Sequence, residues 1–251
     1  MPGPAKLHCI WIVTRQVHQK RYDMKQMNNR LERPDLMAKQ ILKLYRSATD
    51  QEFIEGAAWY LQAKGICKVI ANKFNCPLSK VVGVVAALSP AANWQQNIAD
   101  AHNLVLVWSH CIDPDQVAVT TYGPNKVKAI NILNLDSSRE RDIEALLLHK
   151  SKINKTACFF LNILHPDNDD LVTIDRHAIR IALNSPESDS VCMTEKRYRN
   201  IAKAYRIASQ GLEISAISLQ AVVWCVYRRK MQISTSNIEN EIFASIVNQI
   251  V

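Results

Sequence analysis

Six glycines in 251 residues leave this chain few places to turn tightly. Sheets need frequent turns, and many turns draw on glycine for positive φ. Long helices need neither, and nine prolines are few enough to fall between them. A turn-rich β fold is excluded first on that count, and hydrophobic periodicity does the rest. "DLMAKQILKLYRSA" carries Leu36, Ile41, Leu42 and Leu44 at near-helical spacing, with Asp35 as the expected cap. "DQEFIEGAAWYLQAKGICKVIANKF" predicts one long helix kinked near Gly65. "PLSKVVGVVAALSPAANW" is almost wholly apolar from Val81 to Leu88. It suits a buried strand or a buried helix, and Pro77 at its start with its alanines favours the helix. Further amphipathic runs follow from Trp94, from about Asn125, from the serines before "RERDIEALLLHK", and from "INKTACFFLNILH" to Pro166. Later runs start at a Thr194 cap, stopping at Gly211, and at "SAISLQAVVWCVYRRK", and "SNIENEIFASIVNQI" closes the chain. About ten helices and no convincing strand pair make an all-α fold.

A hydrophobic share of 48% is enough to bury a sizeable core in one large domain or two small ones. Lysine and arginine outnumber acids 31 to 23, and the net charge of +8 suits a polyanionic partner without specifying one. The seven cysteines are odd in number, irregularly spaced and without a C-x-x-C, so neither a zinc ribbon nor a thioredoxin-like motif is supported. Several sit inside apolar runs and read as small buried hydrophobes, in a reducing, cytoplasmic setting. The first residues lack the pattern of a signal peptide, and no window approaches the ~18 apolar residues of a membrane span. Residues 1–34, around "RQVHQKRYDMKQMNNRLERP", read as a basic arm or a loosely docked helix with a solvated face. The remainder, 35–251, reads as the folded unit. There is no internal repeat, no glycine-rich phosphate loop, and no H-E-x-x-H or G-x-S-x-G.

Two charged residues stand out late in the chain. Lys155 opens "KTACFFLNI", and Asp175, twenty positions on, opens "DRHAIRIAL". Both precede helices, so both can face one cleft between helix N-termini. Asp175 has two readings at this point, an ordinary N-cap or an acid presented for chemistry. The lead-in "LVTI" is β-branched and strand-like.

Taken in order, four segments and a late helix resemble the helix-hairpin-helix DNA glycosylase superfamily, the HhH-GPD or endonuclease III-like fold. They are "VVGVVAALSPAANWQQNIADAHNLV", "TYGPNKVKAINIL", "KSKINKTACFFLNI", "VTIDRHAIRIAL" and "LQAVVWCVYRR", spanning about Lys80 to Lys230. The fourth is similar to the family's Val-Asp-Thr-His-x-x-Arg-Val signature. The resemblance implies a helical bundle in two lobes flanking a cleft, 80–170 against 35–79 plus 171–251. It implies Asp175 as the catalytic carboxylate and Lys155 as the lysine of members that also cleave the strand. His177 and Arg180 then fill the signature's structural positions. DNA contacts would come from Lys150, Lys152 and Asn154 at the hairpin, Asn125 and Lys126 at the "GPNK" turn, and Asn93 and Trp94 at the turn bordering the pocket.

The chemistry suits those residue types. Breaking an N-glycosidic bond leaves positive charge on the deoxyribose, which a carboxylate stabilises. A lysine amine can attack C1′ and form a Schiff base, provided burial lowers its pKa. The target base must leave the stack. The partner implied is duplex DNA with a flipped base, bound by a monomer. Two departures mark the chain. The family's hairpin reads Leu-Pro-Gly-Val-Gly, whereas "LHKSKINKT" has no glycine, so either the hairpin is remodelled or charge from Lys150 and Lys152 replaces backbone contacts to phosphate. No four-cysteine motif follows "WCVYRRK", so no iron–sulfur cluster and no other cofactor is expected. These departures leave a second reading, a transferase of a DNA base-hypermodification pathway like those of phages and plasmids. A third is a catalytically silent DNA-binding module.

Overall fold

The computed structural model describes residues 24–168, 171–185, 188, 191–232 and 241–249. The greater part of the basic arm, 1–23, lies outside them, as does most of the polar stretch opening the last segment. All regular structure among the described residues is helical. α1 covers 24–31 and is followed by α2 (Pro34–Tyr45), α3 (Asp50–Lys73), α4 (Leu78–Leu88) and α5 (Trp94–Ser109). Then come α6 (Gly123–Leu133), α7 (Glu140–Leu148), α8 (Lys155–Leu164), α9 (Arg176–Leu183), α10 (Glu195–Ser209), α11 (Ala216–Lys230) and α12 (Glu241–Val247). None is long and apolar enough to cross a membrane.

The ambiguous stretch after Pro77 is helix α4, and its position explains why periodicity was silent there. It packs on α5, α6, α7 and α8 at once, and every residue from Lys80 to Leu88 is buried. A helix covered on all sides has no polar face to mark its period. Lys80 is the exception in chemistry: its ammonium donates to the carbonyls of Leu133 and Leu135, taking up orphan acceptors where α6 ends. A second group of helices, α2, α9, α10 and α11, packs together separately. α3 joins the two, lying against α11 on one side and α4 and α8 on the other.

Local chemistry fixes the helix starts. α3 opens on a full capping box: Thr49 Oγ1 accepts from Glu52 N and Glu52 accepts from Thr49 N. Glu52 also takes both Nε (2.7 Å) and Nη2 (3.1 Å) of Arg229, fastening the head of α3 to the tail of α11. That guanidinium, first among the causes, holds the Glu52 carboxyl below its ordinary range. Two expected caps fall elsewhere. Asp35 lies inside the first turn of α2 and pairs with the N-cap residue Arg33. Arg139 caps α7 through its backbone alone, while Ser137 accepts from the Arg139 N–H in the turn before it. The end of the basic stretch is less solvated than its composition suggests, because α1 buries Met27 and Leu31. It is tied down by Arg30 donating to the Leu183 carbonyl at 2.7 Å.

Candidate functional site

Between the two helix groups lies an open cavity. α3 supplies Trp59 and Tyr60, the α4–α5 turn Ser89 and Ala92, and α5 Trp94 and Asn97. α8 brings Lys155 and Phe159, the approach to α9 brings Thr173 and Asp175, and α11 brings Gln220, Ala221 and Trp224. Lys155 and Asp175 therefore meet in one cavity, each from the start of its helix.

Asp175 is an N-cap: its Oδ1 accepts from Ala178 N at 2.7 Å. No hydrogen bond engages Oδ2 among the described residues, so capping uses one oxygen and leaves the other to the cavity. The residues before it belong to no helix and pair with no strand among the described residues. Their buried backbone groups are satisfied by side chains instead. The Tyr198 hydroxyl donates to Val172 O and accepts from Ile174 N, both at 3.0 Å. With its amide oxygen toward Thr173, Asn162 accepts from Thr173 N (3.2 Å) and Oγ1 (3.0 Å) and donates to Leu171 O (3.1 Å). The strand-like composition of "LVTI" thus reports burial: Val172, Thr173 and Ile174 are all enclosed.

Lys155 is the first residue of α8, where Asn154 is the cap. Its ammonium sits 3.3 Å from Ser89 Oγ and 5.9 Å from the centre of the Phe159 ring. Burial pushes its pKa below the ordinary lysine value, the nearby Asp175 charge opposes that, and Arg176 adds to it. The walls are aromatic. Trp59 lies 4.9 Å from Trp94 and 5.9 Å from Phe159, centroid to centroid. Tyr60, whose hydroxyl donates to Gln220 Oε1 at 3.1 Å, has its pKa raised by burial.

The remaining residues singled out from the sequence are distributed differently. Trp94 lines the cavity, whereas Asn93 caps α5 by accepting from Gln96 N. Asn125 donates to Thr121 Oγ1, which in turn donates to Pro90 O, so this turn braces the α4–α5 turn from behind. Lys126 donates to the Asp115 carbonyl. At the hairpin, Lys150 and Lys152 are exposed, and Asn154 spends its amide on the carbonyls of Leu147 and Leu148 and on its cap to Ala157 N. The chain turns there at His149, with φ 53° and ψ −114°, a conformation glycine would take without strain. His177 lies beside Tyr227, its Nδ1 buried without a partner among the described residues and its pKa lowered, first by burial. Arg180 is partly buried on the same helix.

Sequence reading missed Trp59, Tyr60, Asn97, Gln220 and Trp224. Two of them carried a signal. Gln220 is a polar residue inside the apolar run of α11, and Asn97 lies one turn beyond Trp94 on the buried face of α5. Such positions need a partner, and Gln220 finds one in Tyr60 on another wall of the cavity.

A family described as a family of unknown function, DUF7178, matches residues 24–231, and the chain belongs to it. No curated protein and no solved structure matches the chain.

Proposed function

We propose that this DUF7178 member is a DNA glycosylase-like enzyme that acts on a base flipped out of DNA. One observation carries the reading: Lys155 and Asp175 open two helices and line a single aromatic-walled cavity. The two-lobed helix-hairpin-helix arrangement belongs to the same proposal, supported by two helix groups meeting across that cavity. A flipped base would stack against Trp59, Trp94 or Phe159. The sugar would then lie toward Asp175, whose free oxygen stabilises positive charge on C1′ as the C1′–N bond breaks and the base departs with a proton. Lys155 bonds to C1′ through its neutral amine, and desolvation raises the share of that form near neutral pH. Breaking of the C1′–O4′ bond opens the sugar ring to a Schiff base, and loss of a proton from C2′ would then break the C3′–O bond, expel the 3′-phosphate and open the strand. The net charge of +8 supports DNA as the polyanion, with Lys150 and Lys152 on the exposed hairpin.

The test is nucleoside mass spectrometry of duplex DNA incubated with the protein, together with borohydride trapping. Free base and an abasic product are expected, lost in Asp175→Asn, with a covalent adduct lost in Lys155→Ala. DNA bound in a salt-dependent manner with no change of any nucleoside would overturn the enzymatic reading. A mass increase on a nucleoside would replace excision by group transfer.

A further inference from the structure

Asn97 is 2% exposed, lines the cavity, and its Oδ1 has no hydrogen-bond partner among the described residues. Buried carbonyl oxygens are rarely left this way, because nothing then compensates for the water they lost. The hydrogen bonds made by the surrounding polar groups run to other partners. Ser89 Oγ accepts from Lys155, Gln220 Oε1 accepts from Tyr60, and the Gln96 side chain on the same helix donates to Asp100. Asp100 also takes the backbone N–H of Thr120, so the polar network of α5 closes without Asn97. What remains is a buried acceptor on a helix residue that lines an aromatic-walled cavity.

We infer that Asn97 is the specificity residue of this cavity, and that its carbonyl accepts an in-plane N–H from a planar heterocycle held among the tryptophans. The inference rests on the base-pocket reading and adds the edge by which the base is read. The chemical class follows: rings presenting a ring N–H or an exocyclic amino group are accepted, and the same rings with that nitrogen fully methylated are rejected. Sites built around a buried hydrogen bond discriminate steeply against ligands that leave it unmade. Lys155 and Asp175 sit in the same cavity without supplying this selectivity, since a charge pair at the sugar meets every nucleotide alike.

Three tryptophans line the cavity, so their fluorescence reports occupancy. The probes are trinucleotides with one base between two abasic residues, in matched pairs. They are thymine and 3-methylthymine, guanine and 1-methylguanine, cytosine and N4,N4-dimethylcytosine, adenine and N6,N6-dimethyladenine. In the unmodified full-length protein at least one N–H ring is expected to bind tenfold or more tighter than its methylated partner. In Asn97→Leu, which keeps the volume and removes the acceptor, the gap is expected to fall below threefold. Equal binding within every pair in the unmodified protein overturns the role of Asn97 while leaving the base pocket standing. A gap that persists in Asn97→Leu also overturns it, assigning the reading to another group. If no probe changes the fluorescence, the base-pocket reading falls, and the inference with it.

Discussion

Gly56 lies where α3 crosses α11, and a methyl group there has nowhere to go. A Cβ built on Gly56 would stand 2.4 Å from Val222 Cα, 2.6 Å from Val222 N and 2.7 Å from Val222 Cγ2. Ordinary contact begins near 3.4 Å, so the helices would have to part by about 1 Å (3.4 less 2.4). Two of the three obstructing atoms are backbone, so no rotamer change relieves the clash. Overpacking costs about 1–3 kcal/mol, and because backbone obstructs here the upper part of that range, ~2–3 kcal/mol, applies; alanine returns roughly 1 kcal/mol through better helix propensity. A net loss of ~1–2 kcal/mol lowers Tm by ~2–8 °C, taking ~2–4 °C per kcal/mol for a domain of this size. Gly56→Ala should also shift Gln220 and Trp224 on α11 against Trp59 and Tyr60 on α3, all of which line the cavity. Gly123→Ala is the matched control, because nothing lies within 4 Å of its Cβ position. Thermal unfolding of both variants decides the matter. A Gly56→Ala protein at least as stable as the parent would show that the α3–α11 contact is softer than its spacing implies.

Lys155→Met should raise Tm at neutral pH. A lysine whose folded pKa is lowered penalises the folded state while it is charged; that penalty is complete below the folded pKa and vanishes above the unfolded value near ~10.4. The advantage of the variant should therefore shrink as pH climbs toward that value, and a constant advantage would refute the desolvation account. Glu52→Gln tests the opposite sign. The depressed Glu52 pKa contributes stability above the unfolded value of ~4.3, and this is lost as pH falls through the folded value, so parent and variant should converge in acid denaturation below about pH 4. His149→Gly should stabilise the hairpin by about 1 kcal/mol, by relieving a strained φ, measured as a higher urea midpoint at unchanged m-value. Tyr198→Phe leaves a buried N–H and a buried C=O unpaired and should cost about 1–3 kcal/mol by the same measurement.

Most helices were legible because most are amphipathic or carry a side-chain cap: Thr49, Asn93, Asn154, Thr194 and Ser215 all cap through their side chains. Legibility failed where the environment, not the local chain, decides. α4 is enclosed on all sides and shows no period. "LVTI" has strand composition without a strand, because Tyr198 and Asn162 stand in for the missing neighbour. In the site, Lys155 and Asp175 stood out as charges at helix starts. Trp59 and Trp224 could not, since a tryptophan in an apolar run looks the same whether it meets core or cavity. Asn97 and Gln220 were detectable only as polar residues without an evident reason.

The clasp on the approach to Asp175 ties two events together in time. Ile174 N–H has Tyr198 as its partner, and Tyr198 rides on α10. Solvent can reach that amide only when α10 lifts away, and Asp175 is the very next residue. Deuterium uptake at Ile174 is thus a clock for the opening of α10, and every tick of it marks a molecule in which the backbone leading into Asp175 has lost its clasp. Among amides of this stretch, one residue reports how often the candidate site dissolves and re-forms without the chain unfolding.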